Sequence, residues 1–200
     1  GRLFFEIPRI ASEMNKPPKV IVLENVAFLK VFDKGSRLQV VMNELRKAGY
    51  WVSERTAQIL DVREHTSSPQ ERERLFIVAA HSNYFRRNKF EFPIKNGEHL
   101  HDLWQYIDRQ NKGPEHTYLP EENKYERMIR TKAREKGDDR LFQIRRVAVR
   151  AKAPNVCPTL TANMGGGGHN VPFLIDEWGV RKLTVDECLK LQGFSRGAGR

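Results

Sequence analysis

The chain predicts an α/β fold: part of a doubly wound sheet, joined to a smaller, mostly irregular lobe. Three observations carry this. Val20-Ile21-Val22-Leu23 is a continuous apolar run that leads into Glu24-Asn25-Val26, the pattern of a strand buried on both faces in a parallel sheet. An amphipathic helix pattern and two further strand patterns follow it, as in α/β architectures. Near Ser82 the strand signals fade while charged and aromatic residues rise.

Taken in order, residues 3–16 read as a helix, with Pro8 tolerable only near its first turn. Residues 19–25 are the strand just described. In open α/β sheets the ligand crevice lies outside the carboxyl ends of the strands. Glu24 therefore stands either where chemistry is placed or merely as a cap of the next turn. Leu38, Val41, Met42 and Leu45 form the stripe of an amphipathic helix over Ser36 to Lys47, and Gly49 follows as its stop. Tyr50 to Leu60 reads as one strand and Arg74 to Ala80 as another. Beyond Ser82, Leu100, Leu103, Trp104 and Ile107 make a second helical stripe. Glu121-Glu122 open a third helix with Tyr125, Met128 and Ile129 on one face. Phe142 to Val149 has strand character. Thr184 with Glu187 three residues on is a capping box, opening a helix through Gln192. The expected division is 1–84, 85–175 and 176–200, the last returning to the first lobe.

Two hundred residues at 39% hydrophobic content can bury a core. No apolar run reaches membrane-span length. Two distant cysteines form neither a disulfide framework nor a metal motif. A cytoplasmic, reduced, metal-free protein with no membrane partner is expected. The net charge is +10, and ten Lys or Arg lie between Arg127 and Lys152 against Glu135, Asp138 and Asp139. Such a stretch is either a footprint for a polyanion or a solvated helix face.

Several segments then line up. Gly1-Arg2-Leu3-Phe4-Phe5-Glu6 opens the chain, and Glu24-Asn25-Val26 follows. Gln70, Arg72 and Arg74 precede the apolar run Leu75 to Ala79. Cys157-Pro158-Thr159-Leu160-Thr161-Ala162-Asn163-Met164 leads into Gly165, Gly166, Gly167 and Gly168. Arg181-Lys182-Leu183-Thr184 leads to Glu187-Cys188-Leu189-Lys190-Leu191-Gln192-Gly193-Phe194. In this order the segments resemble the DNA cytosine-5 methyltransferase family, over nearly the whole chain. They match its ENV, QxRxR and RxLT…ECxxLQGF motifs. The family's Gly-rich cofactor loop, its Pro-Cys-Gln nucleophile segment and its final Asn-containing motif are not in this sequence. The resemblance implies a C-terminal-side part of such an enzyme, or one partner of a split enzyme, whose other half carries the missing motifs.

The resemblance also implies an S-adenosylmethionine-dependent methyltransferase sheet plus a target-recognition lobe acting on duplex DNA with a flipped cytosine. Glu24 matches the acid that meets N3 and N4 of the base, with Asn25 fixing the turn and Val26 walling the pocket. Arg74 matches the arginine on O2. Gln70 and Arg72 orient that loop or reach phosphate. Leu3 touches the edge of the cofactor site. Arg145 and Arg146 fall in the DNA-facing lobe, where the resemblance favours the polyanion reading. Thr159, Thr161, Asn163, the four glycines and His169 suit a recognition loop. A DNA-binding module with no activity is the alternative. Neither Cys157 nor Cys188 sits in a nucleophile context, and both read as small buried hydrophobes.

Overall fold

A computed structural model describes residues 2–95, 102–145, 148–162, 164 and 170–194. It divides into two compact units. Residues 1–61 and 73–95 form the first; residues 62–72 and 96–200 form the second. These boundaries differ from the expected ones. The segment 62–72 and the whole C-terminal stretch belong with the second unit, and 85–95 stays with the first.

In the first unit a short 3-10 turn leads into helix α1 (Glu6–Glu13). Pro8 lies in its first turn, where the missing N–H has no intrahelical partner to lose. Strand β1 (Val20–Val26) and helix α2 (Ser36–Lys47) follow. The chain leaves α2 through Gly49 at φ +88°, a left-handed turn that glycine adopts without a Cβ penalty. The expected strand over 50–60 is broken into β2 (Tyr50–Trp51) and β3 (Ala57–Asp61). Between them a single turn is closed by a reciprocal Ser53–Thr56 cap, which takes the backbone off the ladder. Strand β4 (Glu73–His81) is the centre of the sheet, with β1 on one edge and β2 and β3 on the other, all antiparallel. The core is Leu38, Met42 and Leu45 of α2 and Ala11 of α1 against Leu75, Ile77 and Ala79 of β4. Each large aliphatic side chain so buried contributes about 1.5–3 kcal/mol.

The expectation that β1 is parallel and buried on both faces is corrected here. Only Ile21 and Leu23 pack towards the helices. Val20, Val22 and Val26 are 44%, 61% and 54% exposed. Among the described strands β1 pairs with β4 alone, so one face and one edge stay open. An unbroken apolar run does not reveal which of its two faces is covered.

The second unit opens with the single-turn helix α3 (Val62–His65). The stripe expected around Leu100 to Ile107 reduces to one 3-10 turn, Leu103–Gln105. Leu100 lies outside the described residues. Helix α4 (Lys124–Lys136) is capped by Asn123, whose side chain accepts from the Tyr125 N–H. Glu121-Glu122 precede it without joining it. The strand expected from Phe142 to Val149 is a hairpin, β5 (Phe142–Arg145) and β6 (Ala148–Ala151). With β7 (Pro172–Asp176) and β8 (Gly179–Lys182) it makes an antiparallel sheet of order β6-β5-β7-β8. Ile129 of α4 packs on Phe142, Val149, Phe173 and Val180. Leu141, Cys157, Leu160, Leu174 and Leu191 form a second cluster. The predicted capping box holds: the Thr184 hydroxyl accepts from the Glu187 N–H and opens helix α5 (Val185–Leu191).

Arg181 ties this unit together. Its side chain is 1% exposed. It bonds Asp176 at 2.7 Å and grips both oxygens of Glu187 at 2.9 Å. It also donates to the Asp108 carbonyl at 2.7 Å. Tyr118 donates to Asp176, and Glu187 accepts from the backbone N–H of Asp108 and Thr184. Such a fully bonded cluster tolerates burial, whereas one missing member leaves a bare charge. Cys157 is a core residue and Cys188, partly buried, packs against the same cluster. Burial first, and Cys188 second, push the Cys157 thiol far above its usual range; burial, then Glu187, push Cys188 up to about 11.

Arg181→Met removes the cation and leaves two buried carboxylates. We expect a loss of about 3–5 kcal/mol, read as a lower urea midpoint. The thiols make a second expectation. Folded-state values above the unfolded ~8.5 mean that their contribution is present below pH ~8.5 and is lost as pH rises through the folded values. Unfolding free energy measured from pH 8 to 11 should fall more steeply for the native chain than for Cys188→Ala. Equal slopes would contradict the buried-thiol assignment.

Candidate functional site

The antiparallel register places Glu24 opposite Phe76 and Val26 opposite Arg74. Directly opposite residues share a face, so Glu24 and Arg74 lie side by side on the open face of the sheet. Arg74 Nε stands 2.8 Å from Glu24 Oε1. The arginine side chain is 19% exposed and the carboxylate 47%. A second guanidinium nitrogen of Arg74 donates to the Glu73 carbonyl, fixing the fork. The pair is a carboxylate beside a permanent cation at the end of an edge strand, open on one side. Strand alternation separates Glu24 from its neighbour. Asn25 faces the other way, into an apolar cleft of about 700 Å³ with Phe4, Leu23, Leu29 and Phe32. Its Oδ1 accepts from the Val26 N–H at 2.8 Å. Val26 is more than half exposed. Leu3 stands on the surface, 85% exposed.

In the second unit, Gln70 does not face solvent. It is 1% exposed. Its amide donates to the Leu191 carbonyl at 3.3 Å, and its oxygen accepts from the Leu160 N–H at 3.2 Å. Around it, Pro69 to Glu71 lies parallel to the segment at Cys157. The Cys157 N–H donates to the Pro69 carbonyl at 2.9 Å, and the Glu71 N–H donates to the Cys157 carbonyl at 2.8 Å. The Thr159 hydroxyl donates to the Glu71 carbonyl at 2.5 Å, and Lys152 pairs with the Glu71 carboxylate. The segment bearing Gln70 is thus built onto the segment bearing Thr159. Arg72 is half-buried, and its carbonyl accepts from the Val62 N–H at 3.2 Å.

Sequence reasoning missed Ser68, Glu71 and Lys152 as parts of this joint. Ser68 reaches Leu191 across 123 positions and Lys152 reaches Glu71 across 81. No local pattern signals contacts of that range. Arg145 is exposed, with Nε 3.2 Å from Gln143 Oε1. Thr161 is half-buried. Arg146, Asn163, Gly165, Gly166, Gly167, Gly168 and His169 lie outside the described residues. Cys157 is fully buried, its thiol turned to the Pro158 carbonyl, a poor setting for a nucleophile. Among the described residues no group of three or more His, Cys, Asp or Glu comes together that could hold a metal ion. None of their helices is long and apolar enough to cross a membrane.

Known proteins resemble the chain in sequence and in fold. The type II methyltransferase M.Bsp6I of Bacillus sp. (strain RFL6) is 37% identical over 194 residues, covering 97% of this chain and 59% of the relative. M.HaeII of Haemophilus aegyptius is 31% identical, covering 97% and 55%. The chain therefore spans little more than half the length of these relatives. The S. pombe Dnmt2 methyltransferase crystal structure superposes with a TM-score of 0.61 at 17% identity, covering 96% of this chain and 60% of that one. Entamoeba histolytica EhMeth gives 0.56 at 19% identity. These structures share the fold. The sequence profile described as C-5 cytosine-specific DNA methylase matches residues 1–196. The chain belongs to the C-5 cytosine-specific DNA methylase family.

Proposed function

We propose that this chain forms the cytosine-holding and DNA-reading part of a DNA (cytosine-5-)-methyltransferase. It acts with a polypeptide segment that carries the thiolate and the Gly-rich cofactor loop, in the same chain or as a separate subunit. The observation that carries this reading is the Glu24–Arg74 pair at 2.8 Å on the open face of β1 and β4. The Watson–Crick edge of cytosine presents an amino donor, then N3, then the O2 acceptor. Protonated as the base enters and displaces its ion-pair partner, Glu24 beside the guanidinium offers an acceptor, a donor and a further donor in complementary order. With no base bound, the two groups satisfy each other. A flipped cytosine entering between them takes over their hydrogen bonds.

C5 of cytosine is a poor nucleophile within its aromatic ring. When a thiolate sulfur bonds to C6, the ring's electron pair moves towards N3, and Glu24 delivers its proton there. C5 is then enamine-like. Arg74 stabilises the charge gathering at O2. Loss of the C5 proton, departure of the thiolate from C6 and return of the N3 proton to Glu24 later restore the ring and the acid. S-adenosylmethionine, when bound, supplies an electrophilic methyl group. This chain's share of its site is apolar contact from Leu3, since the exposed side chain has no polar group to offer. Exposed Phe28 and Val31, at 62% and 63%, and Val22 and Val26 of β1 support a further polypeptide segment covering this unit.

DNA contact is assigned to Arg145, Thr161 and the basic stretch, and Thr159 and Gln70 hold the recognition segment in place. Arg146, Asn163, Gly165–Gly168 and His169 remain assigned to DNA by motif alone.

The chain alone should transfer no label from cofactor to a cytosine-containing duplex, and a polypeptide with the missing motifs should restore transfer on mixing. In the restored enzyme Glu24→Gln should be slower by ~10²–10⁴-fold, the usual worth of a positioned general acid. Near-normal turnover would remove Glu24 from that role, and no restoration would favour the binding module. For DNA contact, Arg145→Ala should weaken all duplexes alike and reduce the log–log salt slope by about 0.9. An unchanged slope would leave the basic stretch as a solvated face.

A further inference from the structure

The open face of the first unit holds a second chemical feature, at the opposite end of the strands from Glu24 and Arg74. After β4 the chain folds back as Tyr84-Phe85-Arg86-Arg87-Asn88-Lys89-Phe90. With Val20, Val78 and Ala80 it encloses a groove of about 810 Å³. Val20 and Glu24 share a face of β1 and are four residues apart, or about 13 Å. The groove is therefore separate from the pair that meets the base.

Three properties of the segment point to a ligand. First, its backbone is pinned. Asn88 donates to the carbonyls of Trp51 and Val78, filling the gap that the break between β2 and β3 leaves beside β4. Trp51 Nε1 donates to the Phe85 carbonyl, and Arg55 to that of Asn88. Secondly, this pinned segment leaves its rings part-exposed. Tyr84, Phe85 and Phe90 cover Val78 and Ala80 yet keep 42%, 39% and 39% of their own surface exposed along the groove. Thirdly, Arg86, Arg87 and Lys89 are exposed. No carboxylate lines the groove among the described residues. Lys19 adds a fourth cation, 5.5 Å from the centre of the Tyr84 ring.

We propose that this groove binds single-stranded DNA, with bases stacked on Tyr84, Phe85 and Phe90 and phosphates on Arg86, Arg87 and Lys89. Cations that track a backbone, interleaved with ring faces, are the chemistry of strand binding without sequence preference. Stacking on a protein ring requires a base face free of its neighbour, which a duplex does not offer. The choice of DNA over RNA rests on the function proposed above.

The test is fluorescence anisotropy of labelled oligothymidylate with the intact chain. This probe contains no cytosine, so its binding stands or falls independently of methyl transfer. Tyr84→Ala and Phe90→Ala should each weaken binding by roughly 5- to 100-fold with the salt slope unchanged. Arg86→Ser and Arg87→Ser should each reduce the salt slope by about 0.7. These arginines are exposed, so their variants fold, and an unchanged thermal midpoint checks it. Lys47→Ser, an equal loss of charge on α2, should change neither quantity. Native affinity in the ring variants would reduce the groove to a generic basic surface and overturn the proposal. So would equal competition by a poly(dA)·poly(dT) duplex, or tighter binding of oligouridylate.

Discussion

The register between β1 and β4 is the constraint on which the first unit depends. Side chains alternate with period two, so a slip of one residue would turn Glu24 to the helix-covered face and bring Leu23 to the open one. The observed pairing of Val26 with Arg74 prevents this, because Ile21 and Leu23 must reach the cluster of α1, α2 and β4. The hydrophobic requirement on one face thus fixes the polar pair on the other. The ion pair itself is half-exposed and adds little stability. Its position is a consequence of the core, not a cause of the fold.

The second unit solves a different problem. Much of it is irregular chain, and irregular chain needs fixed points. Arg181 supplies one by joining β8, α5 and the loop at Asp108 through charge-assisted hydrogen bonds that leave no member of the cluster bare. Gln70 supplies another, and it is neutral. Its amide joins three stretches of backbone at Pro69–Glu71, Leu160 and Leu191. A neutral amide can do this deep in the core at a far lower desolvation cost than a charged group. The segment carrying Thr159 is therefore held from behind by the same motif whose next members are Arg72 and Arg74.

Much of this was legible in the sequence. The helix over Ser36 to Lys47 has Leu38, Met42 and Leu45 at the spacing of one face, and they are the buried residues. Thr184 and Glu187 stand at capping-box spacing, and the cap forms. The turn at Gly49 needs a residue that tolerates positive φ. These features depend on neighbours within a few positions. Glu24, Gln70 and Arg74 were legible only as family motifs, since their local pattern alone equally describes a charged surface turn.

What the sequence by itself determined is the family, the main helices and strands, and which residue types are available for chemistry. Tertiary structure alone decided that β1 is an edge strand with one covered face, that Glu24 meets Arg74, and that Gln70 is buried beside Thr159 and Leu160. It also decided that residues 50–60 break into two short strands, leaving the gap that Asn88 fills. The physical reason is range. Helix periodicity, caps and turns are written in contacts between near neighbours, whereas burial and pairing are set by segments 50 to more than 100 positions away, and those leave no periodic trace in the local sequence.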